Sequence, residues 1–304
     1  MRRAAAPPAT RVRRPRADAT IPPVTEEPRG LTLEPDRCSR HSVGIHASPA
    51  EVYHALTDPK ELSRWFVSEA SIDLRPGGSY RWVFGEGTGA AGSDPLVSSG
   101  EFVDIIPQQF LRLSTTVEGT ETLLEFRLDP WRDGSILTVS HSGFPGEESW
   151  DDAFRSVDQG WQSEIQVLKL YMESARGLIT RSRFHEARLP GSPEQIYEAF
   201  TTSAGLSSWL ADRAAADASL GGEFRLDRDG GPPIKGRFVV WDPDRFLVLT
   251  WEAERPSMVR LWLQEEDGGA STVLILEHRL FATDATNLAP FDWDGAIDRL
   301  KSRR

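Results

Sequence analysis

Hydrophobic residues recur at helical spacing in two stretches of this chain that lie 144 residues apart. Residues 48–66 read SPAEVYHALTDPKELSRWF, and residues 192–210 read SPEQIYEAFTTSAGLSSWL. Tyr53/Tyr197, Ala55/Ala199, Thr57/Thr201, Leu62/Leu206 and Trp65/Trp209 all keep the offset. Ser48-Pro49-Ala50-Glu51 has the form of a capping box, in which the serine hydroxyl accepts from an orphan amide and Glu51 returns a bond. Pro49 falls at the first helical position, where its missing N–H is not needed. Ser192-Pro193-Glu194-Gln195 repeats the device with glutamine. The pattern predicts a helix over 49–57 with Val52, Ala55 and Leu56 inward, then a short helix over 59–66 presenting Leu62, Trp65 and Phe66.

The period then changes from helical to alternating. An extended segment, 40–46, precedes the first helix, and another, 71–74, leads into the turn signal Pro76-Gly77-Gly78, matched by Gly221-Gly222. Tyr80, Trp82 and Phe84 alternate with Arg81 and Val83, as in a sheet with one wetter face. A Gly/Ser-rich loop over 85–99 separates this strand from the one at 100–106. Further strands are expected at 110–117, 121–128 and 135–141, with partners at 246–252, 257–263 and 271–278. Each copy closes on a helix. In the first, Phe154, Val157, Trp161, Ile165, Leu168 and Met172 form one apolar stripe of about five turns. In the second, Trp293, Ile297 and Leu300 keep the spacing over roughly half that length before Arg304.

Runs of strands, rather than alternating strand–helix units, predict an α+β fold with antiparallel sheets. The layout is a tail over 1–36, one domain over 37–176 and a divergent second domain over 181–304 with a shortened last helix. Each copy is long enough for its own core.

Composition narrows the function classes. There is one cysteine, Cys38, which excludes an internal disulfide and multi-cysteine metal sites and suits a reducing cytoplasm. The six histidines are scattered singly, with no HxxxH or HExxH pair. No apolar run is long enough for a transmembrane helix, so membrane insertion is not expected. The net charge of −11 includes six arginines within residues 1–16, and the remainder stands near −17. Such a body repels phosphate backbones, so nucleic acid is not an expected partner. The Arg/Pro/Ala-rich tail lacks apolar periodicity and reads as disordered.

The order of elements and the residues SPAEVYHALTDPKELSRWF, LRPGGSYRW, GEFVDIIPQQFLRLS, LTVSHSGF and GWQSEIQVLKLYME resemble the family of homologues of the activator of Hsp90 ATPase. That family lies within the SRPBCC, or helix-grip, superfamily of START-like and Bet v 1-like proteins. The second copy matches more loosely through GGEFRL, GRFVVWDPDRFLVLTW and LILEHRLF. The resemblance implies two tandem helix-grip domains, each a curved antiparallel sheet around its C-terminal helix, with a cavity between them that often takes an apolar ligand. Superfamily members include lipid carriers, hormone receptors, polyketide cyclases and chaperone activators, so the fold does not select a function.

With that fold, strand alternation and the helical stripe give a candidate ligand-binding set in the first domain: Trp65, Tyr80, Trp82, Phe84, Phe102, Leu124, Phe126, His141, Trp161, Ile165 and Leu168. The same residues could equally be plain core. His141 shares a strand face with Leu137 and Val139, as His278 does with Leu274 and Leu276. It could orient a ligand or act as an acid/base, or it could be a satisfied structural histidine. No partner is placed beside it in both copies to make a triad. The acids Glu147, Glu148, Asp151 and Asp152 sit where they suit a helix dipole. No catalytic residue, metal ligand or cofactor is assigned. The expected function is binding of a small hydrophobic molecule in the cytoplasm. The alternatives are a chaperone partner with a place in the stress response and a cyclase or aromatase acting through His141.

Overall fold

The computed structural model describes residues 37–85, 95–253, 255–283 and 291–302. The tail and most of the Gly/Ser-rich loop lie outside the described residues. The first repeat runs β1 (Arg37–Ile45), α1 (Pro49–Thr57), α2 (Pro59–Trp65), β2 (Glu69–Ile72), β3 (Ser79–Val83), β4 (Val97–Ile106), β5 (Phe110–Val117), β6 (Thr120–Trp131), β7 (Gly134–Phe144) and α3 (Asp151–Ser174). The second runs β8 (Ile179–Pro190), α4 (Pro193–Thr201), α5 (Ser203–Ser207), β9 (Arg213–Ala216), β10 (Glu223–Asp227), β11 (Ile234–Asp242), β12 (Phe246–Glu252), β13 (Pro256–Glu266), β14 (Ser271–Ala282) and α6 (Trp293–Lys301). The strands form two seven-stranded antiparallel sheets with the same order, β1-β7-β6-β5-β4-β3-β2 and β8-β14-β13-β12-β11-β10-β9. Each sheet curls around the helix that follows it, giving two tandem helix-grip domains.

Local chemistry explains the shared elements. Both capping boxes form: Glu51 N–H donates to Ser48 Oγ at 3.4 Å and Ser48 N–H to Glu51 Oε2 at 2.8 Å, while Gln195 and Ser192 repeat the pair. Trp65 Nε1–H donates to the Ala55 carbonyl at 3.0 Å, and Trp209 to Ala199 at the same distance, tying each short helix to the one before it. The turn before β3 needs glycine twice: Gly77 has φ +73°, and a Cβ on Gly78 would lie 2.0 Å from the Asp73 carbonyl oxygen. That turn also explains why β2 lies two residues before the expected 71–74. Asp73 and Arg75 are already bonded within the turn, which closes with Gly78 N–H on the Arg75 carbonyl.

The final helices differ in length. A 3-10 turn (Glu148–Trp150) leads into α3, which runs for 24 residues, against nine in α6. The cause lies on the side of α3 that faces away from its own sheet. There the helix packs against the outer face of the second sheet, where Val240, Phe246, Val248, Met258 and Phe281 join the core of the first repeat. The Tyr171 and Phe281 rings stack with centroids 6.3 Å apart, and Gln159 Nε2–H donates to Asp242 Oδ2 at 3.1 Å. Glu164 accepts from Arg260 at 2.9 Å and from Arg279 at 2.8 Å, and both guanidiniums also pair with Glu277, at 3.3 and 3.1 Å. Ser182 Oγ–H donates to Glu277. Burial acts to raise the Glu277 carboxyl, but Arg260 and Arg279 outweigh it and hold it down at about 2. Two acids and two arginines thus neutralise one another in a dry seam.

Removing one member of a buried ion cluster strands the others, at a cost of about 3–5 kcal/mol. Glu164→Ala is expected to lower stability by roughly that amount, read as the urea midpoint of unfolding. An unchanged midpoint would show that the seam contributes nothing to holding the repeats together.

Candidate functional site

The interior of the first repeat is built from β3, β4, β6, β7, α2 and α3. Tyr80 and Trp82 alternate inward on β3, with ring centroids 4.5 Å apart, and Tyr80 meets Phe102 of β4 at 5.9 Å. Leu124 and Phe126 face in from β6 opposite His141 and Val139 of β7. Ile165 and Leu168 close the interior from α3. Phe66, the residue that ends α2, is the hub: it stacks on Trp65 at 5.0 Å and meets Trp82 and Phe84 edge-on at 5.3 Å and Trp161 at 5.9 Å. Trp161 in turn meets Phe126 edge-on at 5.5 Å. The structure therefore gathers the hydrophobic members of the candidate set into one cluster. Most are buried; Phe84 and Trp161 are half-buried. Beside Phe84, whose N–H donates to the Leu96 carbonyl at 2.9 Å, Leu96 and Val97 are 57% and 43% exposed. Half-buried Phe84 thus stands at the edge of the cluster, next to exposed Leu96.

His141 is held from both sides. Trp161 Nε1–H donates to its Nδ1 at 3.1 Å, and its Nε2 lies 2.8 Å from Thr122 Oγ1, which donates onward to the Thr115 carbonyl at 3.4 Å. An indole N–H can only donate, so Nδ1 must accept and the proton resides on Nε2. The ring is therefore the neutral tautomer, and burial holds it down at about 4. The second repeat builds the same relay: Trp293 Nε1–H to His278 Nδ1 at 3.0 Å, His278 Nε2 to Ser257 Oγ at 2.9 Å, and Ser257 Oγ–H to the Trp251 carbonyl at 2.9 Å. His278 is also held down at about 4, by burial first, with His185 and Arg183 adding and Glu277 opposing. Neither ring leaves a nitrogen free for proton transfer.

Sequence reasoning did not single out Thr122, nor Phe66 as the centre of the aromatic contacts. A signal for the first existed: Thr122 and Ser257 put a hydroxyl at equivalent places in both copies, facing the paired histidines. The acids at the start of α3 have structural partners, Asp151 with Arg37 at 2.5 Å and Asp152 with Arg155 at 3.0 Å. Among the described residues no group of three or more His, Cys, Asp or Glu side chains could hold a metal ion. Gly160, inside α3, faces open space rather than a close neighbour.

The interior of the second repeat is closed. There, Trp251, Phe291 and Trp293 pack with centroids 4.7–5.3 Å apart, and the Arg228 guanidinium lies 4.9 Å over Phe291. What remains between sheet and helix is an apolar void of about 10 Å³ lined by residues such as Phe224, Leu226 and Trp293. That is at the lower limit for a single water. Larger hollows of about 550 and 690 Å³ lie elsewhere on this repeat and carry charged linings, including Arg228 and Arg299 in one and Arg225, Lys235 and Arg237 in the other.

The relay makes stability depend on pH. Below about 6.5, the ordinary value, an unfolded histidine takes a proton, whereas each buried ring resists protonation until about 4. The unfolded state binds more protons in that window, so the contribution is complete above it and is lost as the pH falls through it. Each histidine accounts for about 3 kcal/mol across the window. The melting temperature is expected to fall between neutral pH and pH 4, and more shallowly in His141→Gln. A melting temperature flat over this range would contradict the neutral tautomer.

A family model described as Activator of Hsp90 ATPase homolog 1-like protein matches residues 46–173 and again 190–303. Among solved structures, the crystal structure of DynU16, from the dynemicin biosynthetic locus, is 21% identical with a TM-score of 0.40, covering 88% of this chain and 94% of its own. The di-domain ARO/CYC BexL of the BE-7585A biosynthetic pathway is 18% identical with a TM-score of 0.40, covering 88% and 93%. The solution structure of the Aha1 dimer from Colwellia psychrerythraea is 22% identical with a TM-score of 0.38, covering 45% and 96%. A search of curated proteins finds no match.

Proposed function

The chain belongs to the Activator of Hsp90 ATPase homolog 1-like family, and from that membership we propose that its first repeat binds a small apolar or amphipathic molecule in the cytoplasm, between its sheet and α3. One observation carries the reading. Half-buried Phe84 and Trp161 join buried Phe66, Trp82 and Phe126 in one aromatic cluster, and the carbonyl of exposed Leu96 accepts from the Phe84 amide at its edge. Apolar and aromatic linings of this kind bury most of a small ligand. The second repeat supports the assignment by contrast. Arg228 stands where the first repeat has Phe84, and the interior behind it is filled. The second repeat then serves as the platform for α3. A cyclase reading through His141 draws no support from the geometry, because both ring nitrogens are already engaged.

Saturable binding of anilinonaphthalene sulfonate, followed by its fluorescence, is expected for the intact protein. Phe84→Arg, which copies the second repeat, should weaken it at least about tenfold, or about 1.4 kcal/mol. Native mass spectrometry of freshly purified protein should also show a retained small molecule. Non-saturable binding that is indifferent to Phe84→Arg, with no retained mass, would remove the reading. A change in the ATPase rate of Hsp90 on adding the protein would instead favour the chaperone role carried by the family's name.

A further inference from the structure

Trp82 is 3% exposed, lies on the inward face of β3, and its indole N–H has no hydrogen-bond partner among the described residues. Four other buried or half-buried tryptophans do not share that state. Trp65 and Trp209 donate to backbone carbonyls, and Trp161 and Trp293 donate to the paired histidines. A buried donor left unmade is costly, and each one in a folded protein calls for an explanation. Ser98, the cross-strand partner of Trp82 on β4, has its hydroxyl 3.2 Å from Thr115 Oγ1, and no described neighbour accepts from the indole. Phe66 presents its edge at 5.3 Å, and Tyr80, at 4.5 Å, directs its own hydroxyl to the Ser114 carbonyl at 3.1 Å.

The second repeat provides an internal control. At the position of Trp82 it carries Leu226, fully buried, which lines the small apolar void with no polar atom to satisfy. Where packing alone is required, leucine fills the place. The first repeat keeps a larger side chain with a donor aimed into the interior. Among the described residues of that repeat, moreover, no buried side chain is charged, and the buried His141 is neutral. An ionised ligand group would find no counter-charge there, and burying one unpaired is prohibitive.

We infer that the occupant of the first repeat carries a neutral oxygen acceptor on a flat apolar skeleton, and that this oxygen takes the Trp82 Nε1–H. The inference rests on the ligand reading above and adds to it the chemical class of the ligand: an aryl carbonyl or a closely related oxygen compound, held against aromatic side chains and oriented by one hydrogen bond. Phe66 and Trp161 supply apolar aromatic contact, and Trp82 supplies the direction.

Two probes of similar size separate the claims: methyl naphthyl ketone, which carries an acceptor, and ethylnaphthalene, which does not. The intact protein is expected to bind the ketone about fivefold more tightly, the scale of one net hydrogen bond. Trp82→Phe should abolish that preference while leaving ethylnaphthalene binding unchanged. In nitrogen–proton correlation spectra of the wild-type protein, the Trp82 indole resonance, assigned through its contacts with the Phe66 and Tyr80 rings, should move downfield with the ketone only. This second readout stands even if the variant does not fold. Equal affinity for both probes with no indole shift would overturn the inference and leave the ligand reading intact. Failure of both probes to bind would overturn both.

Discussion

Helix α3 is held between two cores, and the rest of the molecule is arranged around that fact. No residue from Val157 to Met172 is exposed. Trp161, Ile165, Leu168 and Met172 serve the first interior, while Gln159, Ser163, Glu164 and Tyr171 lie towards the second sheet. An ordinary surface helix needs one apolar stripe and can leave the opposite side wet. Here the opposite side is dry as well, so every polar group on it requires a partner. For Glu164 the partners are Arg260 and Arg279, which with Glu277 form an ion cluster of no net charge; Gln159 bonds Asp242, and Ser163 Oγ is without a partner among the described residues. Such clusters add little net stability over an apolar seam, but a mismatched docking would strand charges, which favours one register.

The same constraint explains why the repeats differ in their last helices. The first repeat's helix has two sheets to cover and runs 24 residues; the second covers one sheet and runs nine. It also explains the composition of β13. Ser257, Val259, Leu261 and Leu263 face the second interior, while Met258 and Arg260 face α3, so both sides of the strand are buried. A strand covered on both faces loses the alternation of a half-wet sheet.

Against this divergence the Trp–His–hydroxyl relay is the same in both copies. Each relay joins the last helix to the sheet through an indole, a neutral imidazole and a backbone carbonyl. What changed between the copies is the furniture of the interior: Trp82 against Leu226, Phe84 against Arg228, Tyr80 against Phe224. The two copies thus share the fastening and differ in the side chains that fill the interior.

Much of this was legible in the chain alone, because it depends on short-range chemistry. The capping boxes at Ser48 and Ser192, the glycine turns, the alternation at Tyr80 and Trp82 and the stripe through Trp161 each follow from neighbours a few residues apart. The 144-residue offset then made two domains of one pattern. Even the pairing of His141 with an inward strand face could be read from period two. Other features required atoms distant in sequence to meet. Thr122 and Trp161 closing on His141, the orphan N–H of Trp82 and the burial of Glu164 against Arg260 and Arg279 join residues 19 to 115 positions apart or rest on a partner's absence. A sequence marks Glu164 as a charged residue on the polar side of an amphipathic helix; only the second sheet, arriving on that side, turns a wet face into a core.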